Sequence, residues 1–489
     1  LGCKPEGEAI VSAADAALDE LLAILGLERK DSGGTINFIG NDPVVASRHR
    51  PAAASAAALA AQAVGVAALW RLRGGDGQDI TIDLHRATVP GLRTSSLFWQ
   101  SGHRLEYGRS PKEAPNFFLT RDGRRMFVLR TAAYPANLLG LLDLLGCRND
   151  TESLAAAIAN WDSADLEETL AKRKLVGVVT RTREEWLATT QGRWLAAQTP
   201  VLVEKIGESP PENPGRGERP LSGVRVLDLA HVLAGPVCAR VLAEQGADVL
   251  HGSAPLRPDD FRVVMDTGHG KRSAFVDLDR PGEVDRVRQL LADGDVFVQS
   301  FRPGSLDKRG LGPLELANLR PGIIYVSVSA YGSDGPWMAR GGFDPVGQAV
   351  SGLAIAEGSS EAPVLAATFT LNDYLAAYLA AAGATAAVVR RAREGGSYHI
   401  QVSLTRSSMW LQELGRLPDE LWPDRGEGKP LIPEPRASDF MKTDSVFGEL
   451  IHARPVAEFS KTKARWCCGP SPPGSSPLAW MDENKRGGR

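Results

Sequence analysis

The sequence predicts an α/β protein, in which a parallel sheet covered by helices on both faces is joined to a smaller α+β unit. Three observations predict it. From residue 221 onward, short strand-like runs (VRVLDLA, ADVL, RSAFVDL, DVFVQSF, IIYVSVSAY) alternate with helical stretches such as VCARVLAEQG. Apolar strands separated by helices are the pattern of a parallel sheet buried on both sides. Ahead of that region, FFLTRDGRRMFVLRT reads as a hairpin turning at Asp122-Gly123. Finally, AALWRLRGGDGQDITIDL (67–84) is echoed by AAVVRRAREGGSYHIQVSL (386–404). A helix, a glycine turn and a strand therefore recur, as when two copies of one unit are fused with parts missing.

In chain order, AADAALDELLAILGL is an amphipathic helix, followed by the loop GNDPVVASRHRP and an Ala-rich helix over 52–73. Glycines 74, 75 and 77 turn the chain into the alternating strand QDITIDLHRA. The hairpin is followed by the helix ANLLGLLDLLG, then LEETLAKRK, strand-like VGVVTRT and the helix EEWLATTQGRWLA. Pro, Gly and charge in GESPPENPGRGERP (207–220) mark a linker. The expected divisions are 1–90 (a helical segment plus partial repeat), 91–206 (small α+β unit), the linker 207–220, 221–410 (parallel-sheet unit) and an irregular 411–489.

At 489 residues the chain exceeds one typical core. Hydrophobic residues at 43%, charged residues at 24% and a net charge of −3 argue against a general nucleic-acid binder and give no pull toward acidic membranes. The longest apolar stretch, 51–72, is Ala-rich and reads as a buried helix rather than a span. No signal pattern opens the chain, and a start at Leu1 without methionine implies a fragment. Cys3, Cys147, Cys238, Cys467 and Cys468 lack metal-ligand spacing, so no metal is expected and a cytoplasmic location is.

Ligands bind outside the carboxyl ends of strands in such sheets, which singles out the loops HVLAGP, SFRPG and AYGSDGP. The first carries no Gly-x-Gly-x-x-Gly, which disfavours a dinucleotide oxidoreductase. Gly270-Lys271-Arg272-Ser273, Arg302 and Lys308 offer cations to a phosphorylated ligand, although loop cations are usually just solvated. His231 directly after a strand is more often structural than catalytic. Asp373 stands at the mouth of the long helix TFTLNDYLAAYLAAAGATAAVVRRAR, where a short polar residue, Asn372 or Asp373, most often serves as a cap. Aligning the repeats puts Ala53 opposite Asp373, so the first copy lacks the acid.

LSGVRVLDLAHVLAGPVCARVLAEQGADVL, GKRSAFVDLDRPGE, ADGDVFVQSFRPGSLDKRGLGP and LRPGIIYVSVSAYGSDGPW occur in this order. Together they resemble the family III CoA-transferases, a group that includes formyl-CoA and carnitine CoA-transferases and 2-methylacyl-CoA racemases; a fused or rearranged member fits best. The resemblance implies a Rossmann-like CoA-binding domain, a small α+β domain and an interlocked homodimer or intramolecular pseudo-dimer. It places the nucleophilic carboxylate on Asp373. It assigns CoA contacts to His231, Val232 and Ala234, to Val276 and Leu278 beside the adenine, to Ser300, Phe301 and Arg302, to Lys308, and to Gly341, Gly342, Phe343 and Asp344. Coenzyme A thioester and a carboxylic acid are then substrates, with no resident cofactor. The helix N-terminus is expected to keep Asp373 ionised.

Two departures matter. Racemases of the group carry Gly-His-Asp where this chain has Gly342-Phe343-Asp344, and phenylalanine carries no proton. The second strand ends in Leu250-His251-Gly252-Ser253-Ala254, without the arginine expected for the nucleotide. Transfer of CoA through an aspartyl-CoA thioester is the leading reading; a degenerate CoA-binding subunit and a racemase with another base are the alternatives.

Overall fold

The computed structural model describes residues 12–105, 117–131, 133–256, 259–422 and 430–481. Its centre is a seven-stranded sheet in the order Lys271–Phe275, Asp248–Ser253, Arg225–Asp228, Val296–Gln299, Ile324–Ser329, Ser397–Ser403, Leu202–Gly207. Six strands are parallel, and Leu202–Gly207 closes one edge antiparallel to Ser397–Ser403. From Arg225–Asp228 the chain first builds outward, then crosses back to Val296–Gln299 on the other side. Loops that follow these two adjacent strands diverge there, at the position where open parallel sheets take their ligands.

The strands are apolar on both faces, as a doubly covered sheet requires. Val226, Val298, Val326 and Ile400 pack into the core beneath the long helices, while Leu227, Phe297 and Tyr325 pack into a second core on the opposite face. Helix Leu371–Glu394 lies between Pro51–Leu72 and Ala234–Ala243 on the first face. Small side chains make this approach possible: a Cβ on Gly383 would meet Ile400 at 2.6 Å. Among the described residues Pro51–Leu72 has the length and apolarity of a membrane span, and its apolar window is wholly buried in the protein.

The repeat is physical. Pro51 and Leu371 open corresponding helices, and Leu84 and Leu404 open the short helices after the corresponding strands. Gly65 meets its own counterpart Thr385, where a Cβ would come within 2.9 Å of the threonine methyl, so the two helices cross about a local pseudo-twofold axis. The copies diverge in their sheets. Ile80–Asp83 joins a separate three-stranded sheet with Ile36–Ile39 and Glu458–Phe459.

The small α+β unit contains Phe117–Leu119, Arg125–Val128 and Gly177–Val179 in an antiparallel sheet, backed by Pro135–Leu145, Thr151–Ile158 and Ser163–Lys172. Leu202–Gly207, counted by sequence at the end of this unit, is an edge strand of the large sheet. The 207–220 segment is pinned along its course: Arg73 donates to the carbonyls of Pro214 and Pro220, and Glu212 pairs with Arg320 and Arg391. The expectation of an irregular 411–489 is corrected. Phe440–Ser445 and Gly448–Ala453 form a hairpin that adds to Phe98–Gln100 and His103–Arg104. Its pairing partner lies more than three hundred residues away, which no local pattern reveals.

Candidate active site at the carboxyl edge

Helix Leu371–Glu394 leads directly into a parallel strand, so it runs antiparallel to the sheet and delivers its N-terminus, with Asp373, to the carboxyl edge. The expected cap is corrected here. Asn372 and Asp373 lie inside the first turn, and the N–H of Asp373 is taken by Asp344 Oδ2 at 2.8 Å. Asp344 opens the helix Asp344–Val350 and is itself held: Gln348 Nε2 donates to its Oδ1 (2.5 Å), and Asn372 Nδ2 to its carbonyl (3.1 Å). Ser408 in turn donates to Asn372 Oδ1 at 2.7 Å.

Asp373 is 8% exposed and Asp344 1%. Burial, then the neighbouring Asp344 carboxylate, raise Asp373 well above the usual carboxylate range; burial pushes Asp344 up to about 7. The expectation that the helix N-terminus keeps Asp373 ionised is therefore overturned. A helix dipole contributes on the order of 1 kcal/mol, less than desolvating a carboxylate beside another acid costs. Such a pair shares a proton and titrates as a unit.

Most of the other residues singled out by sequence form a chain of contacts along the same edge. The N–H of His231 donates to Ser300 Oγ (2.9 Å), and its ring meets Phe301 edge-on at 5.6 Å. Val232 adopts φ +67, a region that β-branched residues rarely enter, and Asp259 Oδ1 accepts its N–H at 3.2 Å. Ala234 begins the helix Ala234–Ala243. Phe301 N–H donates to Gln299 Oε1 at 2.7 Å. Gly341 lies against Arg302, where a Cβ would come within 2.7 Å of the guanidinium. Gly342 abuts Ala330, and Phe343 packs on Tyr134 of the small unit with ring centroids 4.4 Å apart. Phe343 leads into Asp344 and hence to Asp373.

Val276 and Leu278 stand apart, beyond the edge strand Lys271–Phe275. Val276 is buried beside Gly252, and Leu278 packs into the same core as Phe301. Arg309 donates to the Leu278 carbonyl at 2.5 Å, and Lys308 next to it is exposed. Lys271 is not offered to a phosphate. It is buried, with Nζ 2.8 Å from Asp228 Oδ2 and 2.6 Å from the Pro236 carbonyl, and His251 Nδ1 lies 3.0 Å from the same Asp228 oxygen. Arg272 is likewise engaged, with Asp248 and the Ala479 carbonyl.

A cavity of about 300 Å³ opens beside Phe301 and Arg302 on the sheet face opposite helix Leu371–Glu394. Trp194, Gln299, Ser327 and His399 line it; Asp373 does not. Gln299 Nε2 donates to Ser327 Oγ (2.9 Å), which pairs with His399 Nε2 (2.8 Å), and burial lowers His399 to about 4.

Sequence reasoning missed three participants. Gln299 and Gln348 are ordinary residues until the fold brings them to Phe301 and Asp344. Asp42 was legible: Gly40-Asn41-Asp42-Pro43-Val44 repeats the spacing of Gly342-Phe343-Asp344-Pro345-Val346. Asp42 accepts the N–H groups of Ala52 (3.1 Å) and Ala53 (2.9 Å), as Asp344 accepts that of Asp373, and burial raises it to about 6. The first copy thus retains the acid that holds the helix start and carries Ala53 where the second has Asp373.

The sequence pattern described as CoA-transferase family III matches residues 221–426. The chain is 30% identical over 292 residues to the acetyl-coenzyme A transferase nodX of Hypoxylon pulicicidum, covering 56% of this chain and 49% of that one. It is 33% identical to the succinyl-CoA–L-malate CoA-transferase alpha subunit of Chloroflexus aurantiacus, covering 44% and 53%. The crystal structure of Rv3272 from M. tuberculosis in an orthorhombic form aligns at 32% identity with a TM-score of 0.37, over 40% of this chain and 58% of that one. The chain spans about half the length of the curated relatives it matches.

Proposed function

We propose that the chain moves coenzyme A between an acyl-CoA and a carboxylic acid, with Asp373 as the covalent carrier. The single observation behind this is the buried Asp344–Asp373 pair at the carboxyl edge of the sheet, next to loops matching a CoA-transferase pattern. An Asp373 carboxylate oxygen adds to the thioester carbonyl and expels CoA thiolate, giving a mixed anhydride. The thiolate then attacks the aspartyl carbonyl, which releases the first acid and leaves an aspartyl-CoA thioester. The acceptor carboxylate attacks that thioester to form a second anhydride, and the returning thiolate cleaves it to new acyl-CoA and free Asp373. Splitting one transfer into four acyl substitutions lowers each barrier. In this scheme Asp344 orients the first helical turn and receives the proton that Asp373 gives up. Residues 231–234 and 300–302 hold the pantetheine side. The paired helices Pro51–Leu72 and Leu371–Glu394 supply within one chain an association that two subunits would otherwise make, and cytoplasmic acyl-CoA pools are the substrate source.

The test incubates the protein with a panel of acyl-CoAs, traps with borohydride or hydroxylamine, and maps the modified peptide by mass spectrometry. Modification at Asp373, absent in Asp373→Asn with the fold intact, supports the reading; exchange that survives in Asp373→Asn removes it. A second reading, CoA binding without turnover, is favoured by the 8% exposure of Asp373. It requires CoA to bind while no acyl-CoA is ever consumed.

A further inference from the structure

The C-terminal segment places two adjacent thiols on the surface, with Cys467 Sγ and Cys468 Sγ 3.6 Å apart and both residues exposed. Their backbone is anchored on each side. Trp466 Nε1 donates to the Arg240 carbonyl (3.2 Å) and its ring packs on His269 and His452; Gly469 is buried under the hairpin strand Phe440–Ser445 and Pro470 against Gly268. The Cys468 carbonyl accepts the N–H of Gly270 at 2.9 Å. Arg219, bound to the Arg465 carbonyl at 2.7 Å, brings a fixed positive charge to the neighbourhood.

We propose that Cys467 and Cys468 form a modification site for hydrogen peroxide and small hydroperoxides, with Cys467 the attacking thiol and Cys468 the resolving one. Thiolate is the reactive form, and a neighbouring second thiol intercepts the first oxidation product before it goes further. The hydrogen bond from Cys468, and then Arg219, hold the Cys467 thiol down to about 6, while the same partnership raises Cys468. Cys467 thiolate attacks one peroxide oxygen, the O–O bond breaks, and hydroxide leaves to become water; Cys467 is now a sulfenic acid. Cys468 sulfur then attacks Cys467 sulfur, the S–O bond breaks, and the departing hydroxide takes the Cys468 proton as a second water. Two thiols are oxidised to one disulfide, and one peroxide is reduced to two waters. The other described cysteines lack this arrangement: Cys238 is fully buried with its thiol pushed up, and Cys147 is raised by burial and Asp150.

The full chain is reduced, freed of reductant, exposed to equimolar hydrogen peroxide at neutral pH, denatured, alkylated and digested. The 467–468 peptide is expected to escape alkylation and to lose two hydrogens while Cys147 and Cys238 stay alkylated. In Cys468→Ser a sulfenic acid on Cys467 is expected to be trapped by dimedone; in Cys467→Ser, oxidation of Cys468 slows by at least about tenfold. Alkylated Cys467 and Cys468 after exposure, oxidation of Cys147 first, or equal rates in the two variants overturns the proposal. None of these outcomes depends on the acyl-transfer reading.

Discussion

Replacing Asp344 with asparagine changes one buried charge and leaves the shape of the site intact. Burial pushes Asp344 up to about 7 in the folded chain, against 3.8 for an ordinary aspartate. A carboxyl whose pKa rises on folding stabilises the fold fully only below the unfolded value, and that advantage is lost as pH climbs through the folded one. At about 1.4 kcal/mol per unit, the raised value costs folding about 4 kcal/mol at pH 8 and about 2 kcal/mol at pH 5. Asparagine avoids this cost and still offers Oδ1 to the N–H of Asp373. Its amide then faces Gln348 Nε2, and Gln348 cannot turn over because Ala366 N–H donates to its Oε1 (2.7 Å) and Nε2 also donates to the Phe369 carbonyl (2.9 Å). One lost buried hydrogen bond subtracts about 1–2 kcal/mol at either pH. Asp344→Asn is therefore expected to be near neutral at pH 5 and about 2–3 kcal/mol more stable than the parent at pH 8. Urea unfolding of both proteins at the two pH values measures it. A difference that does not change with pH, or a variant weaker at pH 8, refutes the buried-acid reasoning.

Other outcomes follow from the same geometry. Because burial and Asp344 raise Asp373, and because the carboxylate is the nucleophile, kcat/KM for CoA exchange should be lost as pH drops through a value well above the ordinary carboxylate range; Asp344→Asn should move that limb to lower pH, and a parental limb near 4 contradicts the pairing. Lys271→Met strips Asp228 of its buried cation and should lower stability by about 3–5 kcal/mol at neutral pH. The pairing holds Asp228 below the usual range, so this loss should shrink as pH falls through that lowered value; an unchanged denaturant midpoint would show that His251 alone suffices. Ala53→Asp restores the missing acid beside Asp42 inside a packed helix pair. It should lower the melting temperature by an amount corresponding to about 2–4 kcal/mol, and trapping should still label one aspartate per chain; a second labelled site at 53 would show the first copy to be competent.

The parallel sheet, its covering helices and the loops at its carboxyl edge were legible in the sequence because each depends on short-range pattern. Apolar runs such as IIYVSVSAY suit a strand buried on both faces, and the repeat alone places Ala53 opposite Asp373. Tertiary structure decided the electrostatics and the far partners. No window of sequence shows that Asp344 takes the N–H of Asp373, that Lys271 is consumed by Asp228, or that residues 440–453 pair with Phe98–Gln100. The reason is physical: strand and helix periodicity is written in neighbours a few residues apart. Whether a carboxyl is charged depends on what the fold packs around it, and at Asp373 that neighbour is a second acid from another helix.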